Sequence, residues 1–173
     1  MTEKQENILQ AALKLFASEG YHATSTNKVA KSAGVSEGLI FRHFGNKEGL
    51  LDAVLNLGKE KFKAIYANII FEEDPKQVIK GALSMLFNVP EEDYTFWKLQ
   101  MKLKWEMDVV NIEKILPLKM ALEEAFKKLG YAEPDMEAAM VLHIIDGISS
   151  AVLMGQPIDK EKLESFLIKK YDL

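Results

Sequence analysis

Apolar residues recur at helical spacing from the first residues of the chain onward. Within residues 3–19 they share one face of a 3.6-residue period, at Ile8, Leu9, Ala12, Leu13 and Phe16. Thr2 with Gln5 predicts a capping box before this helix, and Gly20 predicts its C-terminal cap. No stretch of strand length alternates between apolar and polar positions with a period of two. The pattern therefore predicts an all-α fold.

Caps and helix breakers divide the remainder into further helices. Two short helices are expected, one from the hydroxyl cluster at residues 24–26 to Gly34 and one capped by Ser36 and ending at Phe44. Asn46 caps a long helix that extends toward Phe71. After a polar break, five more helices are predicted at about 76–87, 94–107, 111–129 (with Pro117 as a kink or a new start), 134–154 and 159–171. The total is about nine helices.

The two short helices have the spacing of a helix-turn-helix. Ala30 is small where the helices touch, and Gly34 tolerates the positive φ that the turn requires. Val29, Val35 and Ile40 supply the apolar contacts that fix the second helix on the first. In this geometry the second helix enters the major groove of DNA. The spacing alone is moderately specific, because any helical hairpin can show it by chance.

Charge distribution favours a DNA-binding N-terminal segment more than the net charge does. The 173-residue chain has a net charge of −4, which argues weakly against general affinity for nucleic acids. Residues 1–47 carry six cationic and four acidic side chains and are net positive. Arg42, in the second short helix, is the sole arginine of the chain. Its place there can also be chance in a lysine-rich composition.

Other function classes find little support in the residues. The chain has no cysteine, which excludes disulfides, thiolate nucleophiles and cysteine-bound zinc. His22, His43 and His143 are too few and too scattered for a metal site, and no catalytic triad elbow or phosphate-binding loop is present. We therefore expect no enzyme activity, no cofactor and no metal. A helical adaptor that binds only protein is the competing class, and DNA affinity at low salt would separate the two.

Targeting signals are not expected either. The first residues lack the apolar region of a signal peptide. The longest apolar run, Ala138–Met154, is interrupted by His143, Asp146, Ser149 and Ser150. These features predict a cytoplasmic protein without a membrane partner.

The N-terminal residues resemble a known family. The run Gly34–Leu51 (GVSEGLIFRHFGNKEGLL), together with the Ile8–Gly20 helix and Ala30, resembles the signature of the tetracycline-repressor (TetR) family. The resemblance covers residues 5–55, and Ile144–Ile148 is similar to a segment of the family's penultimate helix. It implies a helix-turn-helix DNA-binding domain over residues 1–46. It also implies a helical ligand-binding and dimerisation domain over residues 47–173.

The resemblance also implies a function. The expected protein is a transcriptional regulator, a repressor that binds a palindromic operator in double-stranded DNA as a homodimer. A small-molecule ligand of unknown identity is expected to release it. An activator or a non-inducible regulator of the same family is the alternative.

Nine residues are expected to contact DNA: Ser25, Thr26, Ser36, Glu37, Gly38, Phe41, Arg42, His43 and Lys47. The hydroxyls of Ser25 and Thr26 can hold a phosphate, serve as plain caps, or do both. Gly38 permits close backbone approach, while His43 and Lys47 are expected to reach the DNA backbone. For Arg42, contact with a base edge and contact with a phosphate are equally plausible.

Four positions depart from the family pattern. Phe41 stands where tyrosine is usual, and Glu37 where a basic residue is frequent. Phe41 can still contact a thymine methyl group, and Glu37 can accept a hydrogen bond from cytosine N4 or weaken a phosphate contact. Thr26 replaces a common apolar residue, and Lys28 a common acid. These departures bear on the operator sequence rather than on DNA binding itself.

Two residue sets are assigned to the C-terminal domain. The candidate ligand-binding residues are Phe62, Tyr66, Phe87, Trp97, Met101, Trp105, Met120, Phe126, His143 and Asp146. For any one of the large apolar residues, ordinary core packing is the more probable role; His143 and Asp146 are polar anchors of a pocket or an interface. The candidate dimer-interface residues are Ile144, Gly147, Ile148, Ala151, Val152 and Phe166.

Overall fold

The computed structural model describes the backbone of residues 1–85, 87–107 and 112–173, and their side chains except at 59–62, 64 and 112–114. The described residues form nine α-helices and a short 3-10 helix at Glu91–Asp93, without any β-strand. The α-helices are α1 Glu3–Glu19, α2 Thr26–Ala33, α3 Glu37–Phe44, α4 Lys47–Ile70, α5 Pro75–Ser84, α6 Tyr94–Glu106, α7 Ile112–Lys128, α8 Pro134–Leu153 and α9 Lys160–Lys170. The predicted all-α fold is confirmed.

The predicted caps hold with one exception. The Thr2 hydroxyl accepts from the Gln5 N–H, and the Gln5 side chain accepts from the Thr2 N–H, so the capping box is complete. Gly34 ends α2 in the left-handed conformation at φ 67°. The Asn46 side chain accepts from the Gly49 N–H at the start of α4. Ser36 occupies the N-cap of α3, but its hydroxyl makes no capping hydrogen bond there.

Two helix boundaries in the second half differ from the prediction. Helix α5 ends at Ser84, three residues before the predicted end. Pro117 lies inside α7 instead of starting a new helix. Proline removes one intrahelical hydrogen bond at that position, yet the flanking residues Leu118 and Leu122 are buried in an apolar core. That burial favours continuation of the helix.

The first of two compact units comprises the described residues within Met1–Phe62 and Glu92–Val110. Its core holds Ile8 and Phe16 of α1, Ile40 of α3, Val54 of α4 and Leu99 of α6, all fully buried. Helix α6 packs along α1. The helix-turn-helix therefore shares its core with α6 and the start of α4, so this packing unit extends beyond the predicted boundary at residues 46 and 47. The functional division at that boundary stays a prediction.

The second unit comprises the described residues within Lys63–Glu91 and Asn111–Leu173. Helix α7 packs mainly against α8 and α5. Phe126 is fully buried at the centre of this unit, with its ring 4.9 Å from that of Tyr131 and 5.8 Å from that of Tyr171. Helix α4 belongs to both units, because its residues fall on either side of the division.

Candidate nucleic-acid interface

Helix α3 is fixed on one side and open on the other. Ile40 is fully buried against the core, while Phe41 is 45% exposed and Arg42 is exposed beside it. A Cβ added at Gly38 would have no atom within 4 Å, so the backbone there faces open space. The predicted readers Gly38, Phe41 and Arg42 therefore lie on an accessible surface of α3.

The turn that carries α3 is held by backbone geometry. The Val35 N–H donates to the Ala30 carbonyl at 3.0 Å, across the left-handed Gly34. On the other side of α3, a Cβ at Gly49 would lie 2.1 Å from the Phe44 carbonyl oxygen. The sequence analysis gave Gly49 no role. Its place one turn into α4 shows that the α3–α4 connection closes only around a residue without a side chain.

Glu37 is joined to the first turn of α2. Thr26 Oγ1 donates to Glu37 Oε1 at 2.5 Å, and Asn27 Nδ2 donates to Glu37 Oε2 at 3.3 Å. The hydrogen bonds from Thr26 and then Asn27 lower the pKa of the Glu37 carboxyl below its ordinary value. The Thr26 hydroxyl is thus engaged within the protein and holds the carboxylate at the start of α3. Asn27 was missed by the sequence analysis.

His43 is half-buried in the last turn of α3 and contacts α1. Gln5 Nε2 lies 3.3 Å from His43 Nδ1, and the His43 ring is edge-on to Phe44. Gln5 was predicted as a helix cap, and the structure adds this second contact. No local pattern could have indicated it, because the two residues are 38 positions apart.

The Lys47 ammonium packs onto the turn between α1 and α2. Its Nζ lies 4.4 Å from the centre of the Tyr21 ring and 3.4 Å from the His22 carbonyl oxygen. Partial burial lowers the pKa of Lys47, and the carboxylate of Glu106 opposes that shift. Lys47 is placed at the start of α4, as predicted, with its charge directed onto this turn.

Glu106, at the end of α6, binds the same turn from another side. Its Oε2 accepts from the Tyr21 N–H at 2.8 Å and from the His22 N–H at 3.2 Å. Close by, Lys102 Nζ donates to the Ser18 carbonyl at 2.6 Å. The clamp formed by Lys102 and Glu106 of α6 and Lys47 of α4 therefore fixes residues 18–22. The sequence analysis missed the two α6 residues because these contacts span more than eighty positions.

The start of α2 combines a cap with an ion pair. The Ser25 hydroxyl accepts from the Lys28 N–H at 3.2 Å, which is the plain capping role. Lys28 Nζ lies 2.5 Å from Glu19 Oε2 at the end of α1. This pair gives Lys28, which departs from the family pattern, a partner on the neighbouring helix. Ser25 remains exposed.

The candidate ligand-binding residues fall in different places. Trp97, Met101 and Trp105 lie on α6 in the first unit, where Trp105 is 79% exposed. Tyr66, Phe87, Met120, Phe126, His143 and Asp146 lie in the second unit. Phe126 is a core residue, whereas Met120, His143 and Asp146 are exposed. The side chain of Phe62 lies outside the described residues.

One cavity of the second unit has a volume of about 130 Å³. Ile70, Glu72 and Pro75 line it on one side, and Ala121, Glu124, Ala125 and Lys128 of α7 on the other. None of the candidate ligand-binding residues lines this cavity. It is also smaller than the several hundred cubic ångströms of sites for drug-sized ligands.

Helices α8 and α9 carry the candidate interface residues on an incompletely covered surface. Ile144, Ile148, Ala151 and Val152 are half-buried, and Phe166 is 61% exposed. Within the most apolar 18-residue window of α8, only 17% of the residues are buried. By length and composition α8 is also apolar enough to cross a membrane, but one such helix is weak evidence, since helices of soluble proteins pass the same test.

Comparison with known proteins decides the family. Residues 8–54 match the family model described as bacterial regulatory proteins, tetR family. The fatty acid metabolism regulator protein of Bacillus subtilis is 39% identical over 171 residues, which cover 96% of this chain and 76% of that protein. The chain belongs to the TetR family.

Other relatives agree with this assignment. The TetR-family chain is 27% identical to the HTH-type transcriptional regulator YuxN of Bacillus subtilis, over 99% of its own length and 63% of the relative's. It thus spans less than two thirds of that curated relative. The crystal structure of the TetR-family transcriptional regulator PfmR from Thermus thermophilus has the same fold, with a TM-score of 0.73 at 21% identity, over 96% of this chain and 94% of that one.

Another solved structure is the transcriptional regulator FadR from Bacillus subtilis in complex with stearoyl-CoA. It shares the fold at a TM-score of 0.69 and 21% identity, over 95% of both chains. The predicted TetR-type recognition is confirmed by these comparisons. The interpretation as a regulator rather than an enzyme is confirmed as well, because the relatives that match are named transcriptional regulators.

Proposed function

We propose that this TetR-family protein is a DNA-binding transcriptional regulator that acts in the cytoplasm as a repressor. The observation that carries the proposal is the open face of α3, where the sole arginine of the chain is exposed within the residues that match the family. The N-terminal part of such a helix contacts base edges in the major groove. A protein-only adaptor would have no use for this face.

The nine predicted residues divide into two roles in this proposal. Gly38, Phe41 and Arg42 face the base edges, with Phe41 able to contact a thymine methyl group. Ser25, Ser36, His43 and Lys47 lie around that face and serve the phosphates. Lys47 would have to leave the Tyr21 ring or contact a phosphate from its place above it. Thr26 holds Glu37 and contributes to DNA binding through that carboxylate.

Glu37 is the candidate reader of an amino group. Each carboxylate oxygen accepts one hydrogen bond inside the protein and has a second acceptor site left. Glutamate accepts from cytosine N4 in the major groove, whereas a phosphate close to it would be repelled. The operator is therefore proposed to place a cytosine opposite the start of α3.

A homodimer would cover the exposed face of α8 and α9. Two-fold pairing places the same residues of both subunits against one another, and Gly147, where an added Cβ would meet no atom within 4 Å, allows close helix approach. Ile144, Ile148, Ala151, Val152 and Phe166 would supply apolar area. The resulting dimer presents two copies of α3 to a palindromic operator.

The release signal is proposed to be a small molecule, and a long-chain acyl-CoA is the first to test. The relative of highest identity quoted above is named a fatty acid metabolism regulator, and the FadR structure contains stearoyl-CoA. Tyr66, whose hydroxyl pKa is raised by burial, and Phe87 are the candidates for an apolar chain. An activator or non-inducible regulator remains the alternative, and it is favoured if no ligand changes the affinity for DNA.

Coupling between ligand and DNA is proposed to run through α4 and α6. Helix α4 belongs to both units, and Glu106 of α6 binds the turn that leads into α2. A shift of either helix would displace the helix-turn-helix. Couplings of this kind are about 1–3 kcal/mol, which changes affinity severalfold to a hundredfold.

The experiment is a binding assay with DNA from upstream of the protein's own gene, in excess unrelated DNA. Arg42→Ala is expected to weaken the specific complex by about 1–3 kcal/mol, roughly tenfold or more. Lys169→Ala, an exposed charge on α9, is the control and should bind as wild type does. Equal binding by wild type and Arg42→Ala would contradict the proposed role of α3.

A further inference from the structure

The contact between Gln5 and His43 joins the first turn of α1 to the last turn of the proposed recognition helix. Gln5 Nε2 and His43 Nδ1 are 3.3 Å apart in a half-buried position. Which of the two nitrogens donates depends on the orientation of the Gln5 amide and on the tautomer of the ring. The surrounding hydrogen bonds settle both.

The capping box fixes the orientation of the amide. The backbone N–H of Thr2 is a donor and can be satisfied only by an acceptor, and the Gln5 side-chain oxygen lies 2.7 Å from it. The opposite end of the amide, which faces His43, is consequently the NH₂ group. An NH₂ group donates and does not accept.

The tautomer of His43 follows from that orientation. Because Gln5 donates to Nδ1, this nitrogen must carry a lone pair, and the neutral ring then carries its proton on Nε2. Among the residues that the structure describes, no side chain or carbonyl is within hydrogen-bond distance of His43 Nε2. The Nε2–H is therefore left as a donor for a group from outside the protein.

We propose that Gln5 is a positioning residue that holds His43 in the Nε2–H tautomer, so that Nε2 donates to a DNA phosphate. The phosphate contact rests on the proposed function, whereas the tautomer is a property of the free protein. The two parts can therefore fail separately. The capping role of Gln5 alone would not require any particular state of His43.

The sharpest variant is Gln5→Glu. Glutamate also completes a capping box, so α1 keeps its cap, but its carboxylate replaces the donor to Nδ1 with an acceptor. Gln10→Glu makes the same change at an exposed position of α1 where no contact to His43 exists, and it serves as the control. Histidine ¹⁵N spectra of free protein, with the His43 signals assigned by their loss in His43→Gln, report which nitrogen carries the proton.

In wild type and in Gln10→Glu, the expected spectrum shows Nε2 protonated and Nδ1 unprotonated. In Gln5→Glu, Nδ1 is expected to become protonated. Operator affinity should fall about tenfold in Gln5→Glu, as in His43→Ala, and less than about threefold in Gln10→Glu.

Two results would overturn the assignment: a proton on Nδ1 in the neutral wild-type ring, or an operator affinity of Gln5→Glu equal to that of Gln10→Glu. Failure of every protein, wild type included, to bind any DNA would instead contradict the proposed function. The spectra would still decide the tautomer in that case.

Discussion

At the scale of single residues, Glu37 shows how a neighbour can change the meaning of a side chain. A carboxylate at the start of a DNA-reading helix would repel the phosphates if it were free to move. Thr26 and Asn27 bind one oxygen each and keep it ionised at the end of α3. We therefore assign it to base reading rather than to general electrostatics.

Glu37→Gln is predicted to change which base is preferred at one position of each half-site. The amide offers both a donor and an acceptor, so the preference for cytosine should relax by about 1–3 kcal/mol while binding to unrelated DNA strengthens or stays constant. Competition binding against operators with each of the four bases at that position measures this. Glu6→Gln, an exposed charge change on α1, should leave the preference intact. An unchanged base preference in Glu37→Gln would reduce the carboxylate to a link between α2 and α3.

The same carboxylate gives a pH dependence with a defined sign. The folded-state pKa of Glu37 is below its ordinary value, so its hydrogen bonds stabilise the fold at neutral pH. That contribution is lost as the pH falls through the ordinary range toward the lowered pKa. In Glu37→Gln this part of the pH dependence should be absent.

At the scale of elements, the clamp on residues 18–22 links α6 to the helix-turn-helix. Glu106→Gln is predicted to lower the free energy of unfolding by about 1 kcal/mol, since the charge-assisted bonds to two backbone N–H groups weaken at a partly exposed site. It should also reduce the effect of an inducing ligand on DNA affinity. Denaturant unfolding and ligand-dependent DNA binding measure the two effects.

Glu92→Gln provides the matched control for the clamp, because Glu92 is exposed and lies just before α6. If Glu106→Gln and Glu92→Gln had the same stability and the same ligand response, the clamp would carry no coupling. A loss of stability without a change in ligand response would restrict Glu106 to a structural role.

The elements show which parts of the fold the sequence could predict. Helix periods, the Thr2–Gln5 box and the Gly34 turn are local signals, and all of them appear in the structure. The packing of α6 against α1 and the contacts of Glu106 depend on residues that are more than eighty positions apart. Periodicity reports which face of a helix is apolar but not which helix covers it, so these contacts could not be anticipated.

The candidate site shows the same division. The family-like run placed Gly38, Phe41 and Arg42 on an accessible face, because helix phase alone determines that. The partners of Glu37 and His43 come from α2 and α1 and became visible only in the folded chain. For the ligand-binding set, large apolar residues serve core and pocket equally well, and Phe126 belongs to the core.

At the scale of the whole molecule, the account requires two copies of α3 to act together. The apolar face of α8 and α9 is proposed to join two chains about a two-fold axis, and two-fold symmetry in the protein imposes an inverted repeat on its operator. Because phosphate contacts release counterions, affinity should fall steeply as salt is raised. A monomeric reader would require only one half-site.

The most direct test of the central claim is selection of bound fragments from random DNA by the wild-type protein, with Arg42→Ala selected in parallel. The account predicts an enriched inverted repeat with half-site centres about 10 base pairs apart, or a multiple of that, and its loss in Arg42→Ala. Absence of any enriched motif at low salt, with the protein folded, would contradict DNA recognition by α3. So would an identical motif selected by Arg42→Ala at equal strength.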